Sequence, residues 1–303
     1  MHRLIEIAPA KLNLGLKVLR RREDGYHEIV SVLQTVDLCD RLAFKSAATG
    51  ETLVHCDHPD VPAGPENLVF RAVEVLRLET GDNRGVRVDL DKRIPAGAGL
   101  GGGSSNAAAT LRTLDRLWGL RLGPERLSGL AAELGSDVPF FLTGGTAVVT
   151  GRGERIRPVD WEDEFWYVLV YPRFPVSTAW AYQNVRIGLT ETEAYGTFLD
   201  FAEKSGRICA DRLFACLEND FLPVVEAAGK GVTRILAALA AGGAVACSVS
   251  GSGSTLFGVF REARQASAAV VRVRGPGRRV YLCRYRPRRQ ACFNRLSTDI
   301  GKG

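Results

Sequence analysis

The chain has 303 residues and a formal net charge of +6, from 40 Lys and Arg against 34 Asp and Glu; at that length two lobes are expected rather than one core. Its cysteines, Cys39, Cys56, Cys209, Cys216, Cys247, Cys283 and Cys292, are odd in number, without a C-x-x-C pair or zinc-ligand spacing. That pattern fits scattered thiols in a reducing, cytoplasmic compartment rather than a disulfide framework.

The amino terminus, Met1-His-Arg-Leu-Ile-Glu-Ile, lacks the apolar core of a signal peptide, so export is not expected. Strand patterns follow at Leu4–Ala8, Leu12–Val18, Glu28–Val36, Arg41–Phe44 and Thr52–Cys56, with Glu23-Asp-Gly25 as a hairpin turn. Apolar residues at helical spacing predict a helix over 67–78, and Val86-Arg-Val-Asp-Leu-Asp91 alternates as a half-buried strand. Next comes a glycine-dense loop, 95–106, running into a helix from Ser104 or Ser105 to Trp118. A helix at 124–134 and a strand at 146–150 end the first half.

The second half opens with the apolar strand 166–171 and continues with helices near 178–184, 197–205, 220–227 and 231–241. Strands at 244–248 and 255–260, a helix at 262–273 and a strand at 278–284 complete it. The uncharged run from 235 to 260 is long enough to span a bilayer, but five glycines and four serines break it into helix, turn and strands. The lobe boundary is placed near residue 160, and 286–303 reads as a basic tail. Its arginines lack interleaved aromatics for base stacking, so nucleic acid is not implied.

The loop at 95–106 carries the strongest chemical signal. Glycines at 97, 99, 101, 102 and 103 let the backbone take positive φ and approach a ligand, and the helix behind offers unpaired amides and a positive dipole end. Phosphate suits such a site. A Walker A loop is excluded, because no lysine lies between Ile94 and Gly151. A dinucleotide fingerprint occurs at Gly97, Gly99 and Gly102, but its preceding strand is buried on one face only and Pro95 interrupts the approach. Neither the protein-kinase lysine and catalytic-loop elements nor a Gly-x-Ser-x-Gly hydrolase elbow is present.

What remains, Pro95-x-x-x-Gly-Leu-Gly-Gly-Gly-Ser-Ser105, resembles the second motif of the GHMP kinases, small-molecule kinases that phosphorylate galactose, homoserine, mevalonate and related alcohols. Two further stretches match in the family's order: Ala8-Pro-Ala-Lys-Leu-Asn-Leu-Gly-Leu16 followed by Asp24-Gly-Tyr-His-Glu-Ile29, and Ser250-Gly-Ser-Gly-Ser-Thr-Leu-Phe257. Together with Gly135-Ser-Asp-Val-Pro-Phe-Phe141 they resemble the branch whose alcohol carries a cytidyl diphosphate, in the non-mevalonate route of isoprenoid biosynthesis. The resemblance implies an α+β, two-lobed GHMP kinase fold, with a first lobe like a ribosomal-protein domain and a ferredoxin-like second lobe. It further implies ATP as co-substrate with Mg2+, a cytidyl diphosphate sugar-alcohol as acceptor, no nucleic acid or membrane partner, and a monomer or homodimer. A homoserine or mevalonate kinase of the same family, or a non-catalytic nucleotide- or RNA-binding protein on this scaffold, is the alternative.

Carried over by motif, Lys11 and Asp137 are the expected catalytic pair: the carboxylate activates the hydroxyl and the ammonium stabilises the developing alkoxide. Without the motif, Asp137 reads first as a helix-terminal or turn aspartate and Lys11 as a strand lysine needing an anionic partner. Pro95, Ala96, Gly97, Ala98, Gly99, Leu100, Gly101, Gly102, Gly103, Ser104 and Ser105 are expected on the ATP phosphates. Either serine, or Asn106, can instead cap the helix or touch the metal. Asn67 is expected near the nucleotide or as a helix cap. Asn13, Tyr26 and His27 are expected on the cytidyl end, and Tyr182 as a second stacking ring or as helix packing. The Ser250–Thr255 loop either completes the phosphate cavity or is a tight turn.

Overall fold

The computed structural model describes residues 3–161, 163–187, 208–215, 217–229 and 231–288. Two long antiparallel strands organise the first sheet: β1 (Leu4–Arg21) and β2 (His27–Ala47), joined through the turn that ends at Gly25, φ +83. The sequence pattern splits each of them in two, yet both run unbroken. Register shifts between Pro9 and Ala10 and between Asn13 and Leu16 absorb the proline, which has no N–H to give a ladder.

One edge of β2 pairs with β1. Its other edge takes β5 (Thr146–Gly151) along Ile29–Gln34 and β4 (Gly85–Asp91) along Arg41–Ala47. β3 (Thr52–Cys56) lies parallel to β4, and β6 (Arg155–Val159), which the sequence pattern misses because Pro158 breaks its alternation, pairs with β5. Helices α1 (Leu68–Thr80), α2 (Gly102–Leu117), α3 (Pro124–Leu134) and α4 (Val138–Thr143) bury one face of this sheet around Phe44, Leu76, Leu111, Leu114 and Phe140.

Among the described residues, short helices α5 (Thr178–Asn184), α6 (Ala210–Ala215) and α7 (Leu222–Ala228) follow β7 (Trp166–Tyr171). Then come α8 (Val232–Ala241), β8 (Ala246–Val249), β9 (Leu256–Phe260), α9 (Ala263–Val273) and β10 (Arg279–Arg284). The second sheet is antiparallel with order β10-β7-β9-β8, which places fourth, first, third and second strands side by side. That order, with helical connections after its first and third strands, is the ferredoxin-like arrangement. The helix expected near 197–205 lies outside the described residues, and α6 had no clear periodic signal.

α8 and α9 cover one face of the second sheet through Ile235, Leu239, Ala266 and Val273. The opposite face meets the first sheet in a shared core of Leu12, Leu14, Val32, Tyr167, Leu169, Phe257 and Val259. A polar tie crosses it, Tyr167 donating to Gln34 Oε1 while Gln34 Nε2 donates to Thr146 at 3.0 Å. Burying so many side chains of both sheets against each other couples the two lobes through non-directional apolar contact, and the tie fixes their register. The first sheet's last strand ends at Val159 and the second sheet's first begins at Trp166. Among the described residues no helix is long and apolar enough to cross a membrane.

Candidate active site

A cleft of about 990 Å3 opens along β1, between the glycine loop, the β1–β2 turn, α5 and the Gly251–Gly253 loop. Strand alternation sets its floor. Lys11 and Asn13, two apart on β1, point the same way and are 5% and 4% exposed. Lys11 Nζ donates to Asn13 Oδ1 at 2.5 Å and lies 3.5 Å from Asp137 Oδ2. Asn13 Nδ2 donates to Ser31 Oγ, which donates to the Gly15 carbonyl at 2.6 Å. The lysine is thus held by a chain of buried hydrogen bonds rather than left to find its own rotamer.

Asp137 occupies the N-cap position of α4 but makes no capping hydrogen bond, so its carboxylate is free to face Lys11 and the cleft. The helix-terminal role that residue type alone suggests is not the one it plays. Arg112 of α2 fixes that helix by donating to the Phe141 carbonyl and, at 3.1 Å, to Glu6 Oε1 of β1.

The glycine loop lies along the free edge of β1, where Lys11 N donates to the Leu100 carbonyl at 3.0 Å. Gly97, Gly99 and Gly101 all take positive φ. The sequence places the helix start at Ser104 or Ser105; the structure starts α2 at Gly102, with a left-handed Gly101 at φ +67 in the N-cap position and no side-chain cap. The amides of the first turn therefore face the cleft without intrahelical acceptors, the arrangement that binds anions. Neither serine caps. Ser104 lines the cleft, whereas Ser105 is 1% exposed and its Oγ has no protein partner.

Asn106 does not reach the cleft either. Its Nδ2 donates at 2.9 Å to Asp40 Oδ2, a carboxylate that is completely buried. Asp40 also accepts from Lys92 Nζ at 2.7 Å and from the backbone amides of Arg93 at 2.7 Å and Ile94 at 2.8 Å. One side chain thereby clamps the strand leaving β4 and the helix entering α2, the two ends of the glycine loop. Sequence reasoning did not single out Asp40, whose partners stand 52 to 66 positions away.

The second glycine loop closes against the first. Ser250 Oγ donates to the Gly99 carbonyl at 3.0 Å and Thr255 N to the Ala98 carbonyl at 3.2 Å. It is a cavity wall rather than a plain turn. A Cβ on Gly99 would stand 2.3 Å from the Ser250 carbonyl oxygen, while one on Gly97 would meet nothing within 4 Å. Gly99→Ala is therefore expected to cost about 2 kcal/mol or more, combining strain at positive φ with a backbone clash, and Gly97→Ala about 1 kcal/mol. Urea unfolding of the two variants measures the difference.

At the far end of the cleft, His27 and Tyr182 stack on each other with centroids 4.9 Å apart, and Phe221 meets Tyr182 edge-on at 4.8 Å. Partial burial and the Arg21 guanidinium hold His27 below the usual histidine range, so at neutral pH its ring offers both a donor and an acceptor. Burial, with a smaller push from the Asp137 charge, raises Tyr182 above the ordinary phenol and keeps it neutral. Tyr26 stands exposed beneath Arg152, 4.7 Å from ring centroid to guanidinium carbon.

The structure thus brings together Lys11, Asp137, Asn13, Tyr26, His27, Tyr182 and residues 95–104 on one cleft. Asn67 is not on its wall: Oδ1 caps α1 by accepting from Val69 N at 2.8 Å, and Nδ2 donates to the Pro62 carbonyl at 2.6 Å. Ser136, inside the Gly135–Phe141 motif, also lines the cleft, as do Arg21, Arg152, Thr178 and Gln183, which nothing in their local sequence marked.

Family comparison agrees with this geometry along most of the chain. The family model described as GHMP kinases N terminal domain matches residues 67–145, and that described as GHMP kinases C terminal matches residues 196–278. A 4-diphosphocytidyl-2-C-methyl-D-erythritol kinase of Pelotomaculum thermopropionicum is 41% identical over 93% of this chain and 98% of its own length. The chain belongs to the GHMP kinase family. Among solved GHMP kinases, a 4-(cytidine 5'-diphospho)-2C-methyl-D-erythritol kinase superposes with a TM-score of 0.75 at 33% identity, covering 93% of this chain and 99% of that one. A homoserine kinase from Cytophaga hutchinsonii reaches a TM-score of 0.72 at 18% identity, over 93% of this chain and 94% of that one, a likeness of fold alone. Within the GHMP kinase scaffold the glycine loop, α2 and the Lys11–Asp137 pair face one space.

The donor chemistry of the cleft fits a magnesium ion joined to nucleotide phosphates. Mg2+ prefers one or two protein oxygens and completes its shell with phosphates and water. Ser104 presents such an oxygen on the cleft wall beside the glycine loop. Among the described residues there is no cluster of three or more His, Cys, Asp or Glu that would suit a protein-caged metal.

Proposed function

We propose that this chain phosphorylates 4-diphosphocytidyl-2-C-methyl-D-erythritol on its 2-hydroxyl at the expense of ATP, giving the 2-phosphate and ADP in the non-mevalonate route to isoprenoids. The observation that carries the reading is the Lys11–Asp137 pair, 3.5 Å apart at the foot of a cleft with a phosphate-binding helix start at one end and an aromatic wall at the other.

Phosphoryl transfer is mostly positioning and electrostatics. The first-turn amides of α2 and the glycine loop hold the ATP phosphates; Ser104 would join those phosphates in holding Mg2+, which when bound would supply charge neutralisation. Asp137 accepts the hydroxyl proton, and Lys11, fixed by Asn13, stabilises the alkoxide that develops. His27, Tyr26 and Tyr182 hold the cytidyl end, where a neutral imidazole can both donate to and accept from a base edge. Asn13 acts through Lys11, since its carboxamide already serves Lys11 and Ser31.

ADP release with ATP, magnesium and a panel of alcohols tests this. Turnover is expected with the cytidyl substrate and not with homoserine or mevalonate. The reverse pattern would move the chain to another branch of the family.

A further inference from the structure

We propose that Asn219, which no motif marks and which does not line the cleft, is a positioning residue that joins the ATP-side loop to the aromatic wall. This rests on the kinase reading and adds a coupling between its two substrate sites.

Asn219 is 5% exposed, in the segment between α6 and α7. Its backbone is bridged to Leu16 of β1: Leu16 N donates to the Glu218 carbonyl at 2.8 Å and Asp220 N to the Leu16 carbonyl at 3.0 Å. From that fixed point its carboxamide reaches in two directions. Nδ2 donates to the carbonyls of Val249 at 2.8 Å and Gly251 at 3.1 Å, at the start of the loop that packs on Gly99 and stands over Lys11. Oδ1 accepts from Phe221 N at 2.9 Å, and the Phe221 ring supports Tyr182 and through it His27.

The two halves of the carboxamide thus have different duties. The donor half holds the loop beside the ATP phosphates, and the acceptor half holds the ring support of the cytidyl end. Only an amide supplies two donors and an acceptor from one buried position. Leaving either set of partners without a hydrogen bond in the interior is costly enough to move the segment that carries them.

Two substitutions separate the halves. Asn219→Asp keeps an oxygen for Phe221 N but sets a carboxylate against the Val249 and Gly251 carbonyls; Asn219→Leu removes both halves. Isothermal titration of each folded variant with magnesium ATP and, separately, with cytidine 5'-diphosphate reads the result. Asn219→Asp is expected to weaken ATP about tenfold and cytidine diphosphate less than about twofold, and Asn219→Leu to weaken both about tenfold. A fall in melting temperature with both ligands' Kd values within about twofold of wild type would reduce Asn219 to a stability residue and overturn the proposal. Equal weakening of both ligands by Asn219→Asp would overturn the division of duties. If Asn219→Leu does not fold, the Asp variant alone decides. Failure of the kinase reading would show in the wild-type titrations, failure of the coupling only in the ratios of variant to wild type.

Discussion

Asp137→Asn is expected to lower kcat by about a hundredfold or more, because a positioned general base supplies at least that much. The substitution keeps shape and removes the proton acceptor. Asp137 caps nothing, so the N-terminus of α4 loses no hydrogen bond and the fold is expected to stay intact. Kd for ATP should change little, since the glycine loop and α2 are untouched. Stopped ADP-release kinetics beside ATP titration measure both, and a loss of less than about threefold in kcat would move the base elsewhere. The same measurement decides against a non-catalytic binding protein on this scaffold, for which no turnover would exist to lose.

Asp40→Ala is expected to cost about 3–5 kcal/mol of stability, the usual penalty for stripping a buried ion of its partner. Lys92, its side chain 4% exposed, would keep a charge with no counter-ion, and the amides of Arg93 and Ile94 and the carboxamide of Asn106 would each lose an acceptor. Both ends of the glycine loop hang from this carboxylate, so the damage reaches function. At a temperature where the variant is still folded, its Kd for ATP should rise as well. Urea unfolding gives the first quantity and titration the second; a loss under about 1 kcal/mol would show the clamp to be unimportant.

Much of the candidate site was legible because its residues sit in short runs. The glycines of 95–103, the Lys11 strand, the Tyr26–His27 turn and Asp137 each sit in a local motif. Their convergence on one cleft is what the fold adds. Asp40 and Asn219 were not legible, because each is a single polar residue whose meaning lies in partners brought near only by folding: Lys92 and Asn106 for one, Val249 and Gly251 for the other. Secondary structure erred for the same kind of reason. Pro9 and the polar stretch after Val36 look like strand ends, but two-stranded pairing over the length of β1 and β2 carries the chain through them. The start of α2 was misplaced because a hydroxyl cap was sought where a left-handed glycine stands.

The unbroken β1 makes this catalyst a ruler. In the proposed function Lys11 and Asn13 mark the reacting end and Arg21 the far end of one strand, and a strand advances about 3.3 Å per residue. The separation between a phosphate donor and the anchor of a long acceptor is then counted out in whole residues by the backbone itself. Its only adjustable graduations are the bulges at Pro9/Ala10, Asn13/Leu16 and Val18/Arg20. Such a scale cannot drift gradually. Losing one residue between Lys11 and Arg21 would turn every later side chain to the opposite face, so changes in acceptor length must come from the walls, or from a bulge gained or lost.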